Sequence, residues 1–257
     1  MLKYNAYQLK MIAIVGMVLN HMVFGWWEIL PPWLAALMYA AGGLTFPILA
    51  YFVVEGYRHT SNLKRYVGRI LLFGVLAMPF HAMVFGAVGL NIMFTIAISI
   101  WILYLHDKIK KRLWFWLLFV LLCGVTVLLA FDWGIIGPIV VLLFHRIQDE
   151  KKRRIIPPIV AGIVNFFATA FIALTMLSPE VAAQLAKTNP RMTMTYALVA
   201  MTFIVGCFFA ALLLKNFNGE RGRRSKWLFY VCYPLHLAFI AGVSVALGIF
   251  QGVTFPF

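Results

Sequence analysis

The 257 residues predict an all-α, polytopic integral membrane helix bundle forming a single domain over residues 1–257. Three observations predict it. Hydrophobic residues make up 63% of the chain, charged residues only 12%, and the mean hydropathy is +0.92. So little charge cannot coat a soluble domain of this size. Apolar runs close to the ~20 residues that a membrane-crossing helix needs recur along the whole chain. Finally, twenty of the twenty-two Lys and Arg residues fall in five clusters, at every second connection between those runs. Basic connections resist translocation, which predicts the N-terminus inside, the C-terminus outside and a crossing between each pair of clusters.

About nine transmembrane helices follow in order. The first, 9–26, starts beside Lys10, just after Lys3, and ends at Trp26-Trp27. The second, 33–54, follows an outer connection at Trp27–Pro32 and runs into the basic elbow of Arg58, Lys64, Arg65 and Arg69. The third, 68–86, and the fourth, 90–106, meet at an outer turn, Gly86–Gly89. Lys108 to Arg112 precede the fifth, 113–131, and a tight outer turn at Asp132 leads to the sixth, 133–148. Gly137-Pro138 breaks this short sixth segment, so a re-entrant or strongly tilted pair is the alternative there. The cluster from Arg146 to Arg154 precedes the seventh, 155–177. Ser178–Met192 is the longest outer loop and holds the two remaining cations, Lys187 and Arg191. The eighth, 193–214, and the ninth, 227–250, flank the last basic cluster, Lys215 to Lys226.

These features exclude several classes. The net charge of +14 lies at the ends of apolar runs and not on one polar face, so no nucleic-acid partner is expected. Cys123, Cys207 and Cys232 lie inside apolar runs without paired spacing, so neither a disulfide framework nor a metal site is expected. No cleavable signal peptide is visible. Trp26, Trp27, Trp33, Trp114, Trp116, Trp133 and Trp227 lie near run ends, where interfacial aromatics belong.

An ionisable group inside a membrane costs about 2.5–3.5 kcal/mol on insertion scales, so such groups mark candidate sites. Asn20-His21 lies in the outer half of the first segment, and imidazole is the side chain best suited to exchange a proton near neutral pH. The plain alternative is a histidine that packs helices. Glu55 sits at the inner interface among Arg58, His59, Lys64, Arg65 and Arg69. That set fits the phosphates of a ligand such as coenzyme A; it fits equally a topogenic loop in which an arginine neutralises Glu55. Asn91 opens the fourth segment as a helix cap. His81 follows Pro79, Asp132 marks an outer turn, and His236 follows the kink expected at Pro234. Taken together, polar groups from five helices point to a shared cavity.

Five stretches resemble the TraX family: Met11 to His21, Phe46 to Arg69 with Glu55-Gly56 and His59-Thr60, Asn91 to Thr95, Asp132-Trp133-Gly134, and Phe229 to Leu237 with Tyr233-Pro234-Leu235-His236-Leu237. They run in order over nearly the whole chain. The resemblance implies a multi-pass protein of the bacterial inner membrane that transfers an acyl group, most simply acetyl from acetyl-CoA, to an amine or hydroxyl. A pilin N-terminus or a glycan is the acceptor that it implies. The name-giving member acetylates the N-terminus of conjugative pilin, and the family is distantly similar to membrane acyltransferase-3 proteins. On this reading His21 is the general base, Asn20, Asn91, His236 and Glu55 complete the catalytic set, and Arg58, His59, Lys64 and Arg69 hold acyl-CoA. The family's first motif reads Asp-His where this chain has Asn20-His21. A transporter or an assembly factor without chemistry is the competing expectation. Acyl-CoA, an acceptor polypeptide or glycan and membrane lipids are the expected partners.

Overall fold

The computed structural model describes residues 3–26, 29–86, 89–176, 179–224 and 226–249. Trp27, the tip of the 86–89 turn and the end of the ninth predicted segment fall outside this set. All the described elements of regular structure are helices.

Local chemistry sets their ends. α1 (Ala6–Gly25) opens with a reciprocal capping box, the Asn5 side chain on the Gln8 amide and the Gln8 side chain on the Asn5 amide. α2 (Pro32–Gly42) starts with proline at its first position, where no amide hydrogen is needed. α3 (Thr45–His59) follows after a break at Gly43-Leu44. The predicted second segment is therefore two helices. A Cβ on Gly43 would stand 2.3 Å from the Phe203 carbonyl oxygen, so close contact between backbones fixes the break. α4 (Leu63–Phe85) is capped by Asn62 and ends at Gly86, whose φ of 64° suits glycine. Asn91 caps α5 (Ile92–Lys108). α6 (Arg112–Leu128) and α7 (Ile136–Arg146) are joined by a turn with Ala130 and Trp133 at positive φ. α8 (Glu150–Met176), α9 (Pro179–Thr188), α10 (Pro190–Lys215) and α11 (Lys226–Ala246) complete the chain. The long outer loop expected at Ser178–Met192 is largely the helix α9.

Among the described residues, five stretches are long and apolar enough to cross a membrane: Ala6–Gly25, Pro32–His59, Leu63–Phe85, Glu150–Phe171 and Trp227–Ala246. α7 is not one of them. Its 11 residues reach about 16 Å, roughly half of the ~30 Å hydrocarbon core. This is the segment that Gly137-Pro138 marked as irregular.

α3 is the hub, touching α1, α2, α5, α7, α8 and α10. α10 packs against α8 and α2, and α11 against α4. The outer surface is apolar: Leu72 and Val75 of α4, Leu117 and Val120 of α6, Phe167 of α8, Phe208 of α10 and Leu235 and Phe239 of α11 all face outward. A belt of this kind is the signature of a lipid-facing surface.

The basic clusters gather at one end. The α10–α11 connection binds the start of the chain through Lys3 N–H to Asn216 O, Asn218 N–H to Tyr4 O and Ala6 N–H to Glu220 O. Arg154 donates to Phe217 O, and Arg58 to His145 O. His81, Asp132, Trp26 and Ser244 lie at the other end, called the far end below.

Candidate functional site

Near the far end, α1, α4 and α11 bring three histidines together. Nδ1 of His21 and Nε2 of His236 are 2.7 Å apart, both side chains are buried, and the rings stack at 4.9 Å. His236 Nδ1 lies 2.8 Å from the Cys232 carbonyl. A carbonyl only accepts, so Nδ1 of His236 carries the hydrogen and donates. In the neutral ring Nε2 is then the acceptor, and His21 Nδ1–H donates to it. The network therefore leaves the lone pair of His21 on Nε2.

The Phe85 ring separates this pair from His81, with centroids 5.1 Å from His21 and 4.6 Å from His81. His81 Nε2 lies 3.3 Å from Asp132 Oδ2, while its buried Nδ1 has no partner. Thr95 donates to the Asp132 carbonyl and ties this turn to α5. Tyr233 packs edge-on to His236 at 5.5 Å. Its hydroxyl lies beside the Ile92 amide at the first turn of α5, and it makes no hydrogen bond of good geometry. Tyr233 Oη and His81 Nδ1 are thus uncommitted, as is Nδ2 of Asn20, the neighbour of His21 in sequence.

A large cavity of about 940 Å³ opens at the basic end. Its mouth carries Lys10, Arg69, Arg153, Arg154, Arg221 and Arg223, with Glu55, Glu150 and Glu220 between them. Its floor is apolar: Ile70, Met93, Ile96, Phe229 and Tyr230. Met93 also packs on the cluster that holds Tyr233. On α11 the order is instructive. Tyr230 lines the cavity, Tyr233 is one turn further in and His236 one turn beyond it, about 9 Å along the axis from Tyr230. On α1, Lys10 lines the cavity and His21 lies about 16 Å beyond it.

The residues singled out from sequence divide accordingly. His21 and His236 meet. Asn20 points elsewhere: its amide packs against Gly42 of α2, where an added Cβ would come within 2.4 Å of Nδ2. Adjacent helix positions face different ways, so Asn20 does not orient His21. Asn91 is fully buried, with Nδ2 on Gly74 O at 2.8 Å and Oδ1 on the Met93 amide. Both its functions are structural. Glu55 sits at the basic end, 2.8 Å from Arg153 Nη2, far along α3 from the histidines. His59 and Arg69 line the large cavity, whereas Arg58 faces a second one and Lys64 lines neither. Sequence reasoning named His81 only as the residue behind Pro79, and Tyr233 only within its Tyr-Pro-Leu-His-Leu stretch, and gave neither a role. It also missed Lys10, Arg221 and Arg223, whose clusters had been read only as topology signals.

The second cavity, about 540 Å³, lies between the basic ends of α3, α5, α6 and α7. At its centre, Asp107 accepts from His145 Nε2 at 2.8 Å, from His106 Nδ1 at 3.2 Å and from Tyr57 O–H at 2.7 Å. Desolvation alone would raise the Asp107 carboxyl, but these donors outweigh it and hold its pKa below the usual carboxylate value.

Comparison with known proteins agrees with the residue pattern. The profile described as "TraX protein" matches residues 5–244. The chain is 27% identical over 260 residues to the "Probable fimbrial assembly protein FimC, serogroup H1" of Dichelobacter nodosus, covering 95% of this chain and 97% of that protein. No solved structure matches. The chain is a helical membrane protein, and it belongs to the TraX family.

Proposed function

We propose that this protein is an acyltransferase of the bacterial inner membrane, moving an acetyl group from acetyl-CoA to an amine or hydroxyl. The observation that carries the reading is the buried His21–His236 pair, lying two helical turns beyond a large basic-mouthed cavity. A multiply charged donor fits that mouth, and the apolar floor suits the thioester arm. With the basic end in the cytoplasm, as the positive-inside rule predicts, acyl-CoA enters from the compartment that makes it. The acceptor then enters from the far end.

In this reading Nε2 of His21 takes the acceptor's proton as the nitrogen or oxygen attacks the thioester carbonyl. The C–S bond breaks, and the proton passes to the departing thiolate, giving the acylated acceptor and free coenzyme A. His236 receives the His21 Nδ1–H hydrogen bond and holds the ring; it is a positioning residue. Its Nε2 accepts, so it does not serve as an oxyanion donor, and Asn91 is fully committed. The Tyr233 ring packs against both histidines and its O–H has no hydrogen-bond partner, so it is the donor that would meet the carbonyl oxygen as it gains charge. By the name of its fimbrial relative, a pilin-like subunit is the favoured acceptor class.

That same name favours a second reading, an assembly protein without chemistry. Purified protein with radiolabelled acetyl-CoA and a pilin-type peptide separates the two. Acyl transfer, lowered by about two to four orders of magnitude in His21→Ala, supports the enzyme. Absence of both transfer and coenzyme A release in folded protein leaves the assembly reading.

A further inference from the structure

The second cavity has no part in the chemistry proposed above, and its lining is unusual. Three arginines, Arg58, Arg112 and Arg146, converge on a space that also presents His106 and His145. Among the described residues, the only acid lining it is Asp107, so with neutral imidazoles the lining carries a net +2. Asp107 already accepts hydrogen bonds from Tyr57 and the two histidines. Arg58 is partly engaged, by His145 O at 2.9 Å and by Glu55 at 3.7 Å. Arg146 leans on the Trp116 ring at 5.5 Å, which sets the level of its guanidinium. Beside it, Leu113, Trp114 and Leu117 are exposed on α6, so the cavity opens where an apolar surface meets a charged one.

We propose that this cavity is a phosphate-binding site, with Arg112 and Arg146 as its principal ligands. The phosphate belongs to the headgroup of an anionic phospholipid in the adjoining leaflet or to a soluble phosphate ester. Two forked guanidiniums suit phosphate oxygens, and basic pockets between membrane helices are a recurrent setting for anionic headgroups. The imidazoles donate to Asp107, which aligns the wall and leaves the arginines to the ligand. His106, Asp107 and His145 are also close enough together to ligate a cation. Three neighbouring arginines oppose a divalent charge there, and the carboxylate is already taken up by three donors.

The test is isothermal titration of full-length protein in neutral detergent. Three probes are used: dioctanoyl phosphatidylglycerol, dioctanoyl phosphatidylcholine and inorganic phosphate. The proposal expects saturable binding of the anionic lipid or of phosphate, weakened about tenfold or more in Arg112→Gln/Arg146→Gln. Arg112→Lys/Arg146→Lys, which keeps charge but loses the fork, should fall between. Preference for phosphatidylglycerol over both other probes identifies the lipid as the source. Equal or tighter binding of inorganic phosphate identifies a soluble ester. The proposal is overturned if neither probe binds saturably, or if the folded double variant binds them like the native protein. It is also overturned if zinc ion binds, Asp107→Asn abolishes that binding, and phosphate has no measurable affinity.

Discussion

Nη2 of Arg153, on α8, lies 2.8 Å from Glu55 of α3 and 2.8 Å from Glu150 of its own helix. The guanidinium also stacks over Tyr51 at 4.9 Å, and its side chain is only 4% exposed. This anchor joins the hub helix to α8 at the wall of the large cavity. Removing one partner leaves a buried charge poorly compensated. Glu55→Gln is therefore expected to lower stability in detergent by about 2 kcal/mol, the moderate end for a pair that keeps Glu150 as a second partner. Thermal unfolding of Glu55→Gln, Arg153→Gln and the double variant should show positive coupling. A Glu55→Gln protein of native stability but without transferase activity would give Glu55 a chemical role instead.

His236 should respond to substitution by hydrogen-bond capacity and not by size. His236→Leu removes the acceptor for His21 Nδ1–H and is expected to cost about ten- to a hundredfold in turnover, typical of a supporting partner. His236→Gln offers a carbonyl oxygen at a similar reach and should recover most of that loss. Steady-state kinetics with acetyl-CoA checks both, and equal losses in the two variants would remove the positioning role.

At the cavity mouth, Arg221→Gln/Arg223→Gln should weaken acyl-CoA binding by about tenfold or more, and more steeply at low salt. Lys64→Gln should leave it unchanged, since Lys64 does not line the cavity. Equilibrium dialysis with labelled acetyl-CoA distinguishes the two. Loss of affinity in Lys64→Gln alone would move the donor site to the elbow.

Gly206 tests the fold itself. A Cβ there would lie 1.9 Å from the Ala40 carbonyl oxygen, and Gly43 packs against the same stretch. Gly206→Ala forces α10 away from α2 and is expected to destabilise by about 1–3 kcal/mol. Gly68→Ala, with open space around it, is the control. Comparable melting temperatures for the two variants would show that this crossing tolerates separation.

Hydropathy and charge made the helices legible because both report on the solvent around each segment, which here is lipid. They could not reveal the Gly43-Leu44 break. It depends on the Phe203 backbone, 160 positions away. Nor could they show that α7 is short, since an apolar run reads alike whether it crosses the bilayer or is buried against neighbours. At the site, His21 and His236 stood out as polar groups in apolar runs, and the fold joins them. Asn20 and Asn91 stood out for the same reason but serve packing and capping. Sequence shows that a polar group is costly where it stands, and only the fold shows which neighbour offsets the cost. Lys10, Arg221 and Arg223 were hidden because a basic residue that sets topology and one that lines a cavity carry the same letter.

The contacts between residues 3–6 and 216–220 bear on the order in which this molecule becomes whole. The first helix leaves the ribosome early, yet its root is pinned by a connection made more than 200 residues later. At about 5–20 residues per second, that interval is roughly 10–40 s. His21 waits still longer, because His236 lies 215 positions downstream. Throughout that time the wall of the large cavity and the histidine pair both lack one side. The interior of the bundle is therefore complete only once α11 has been made.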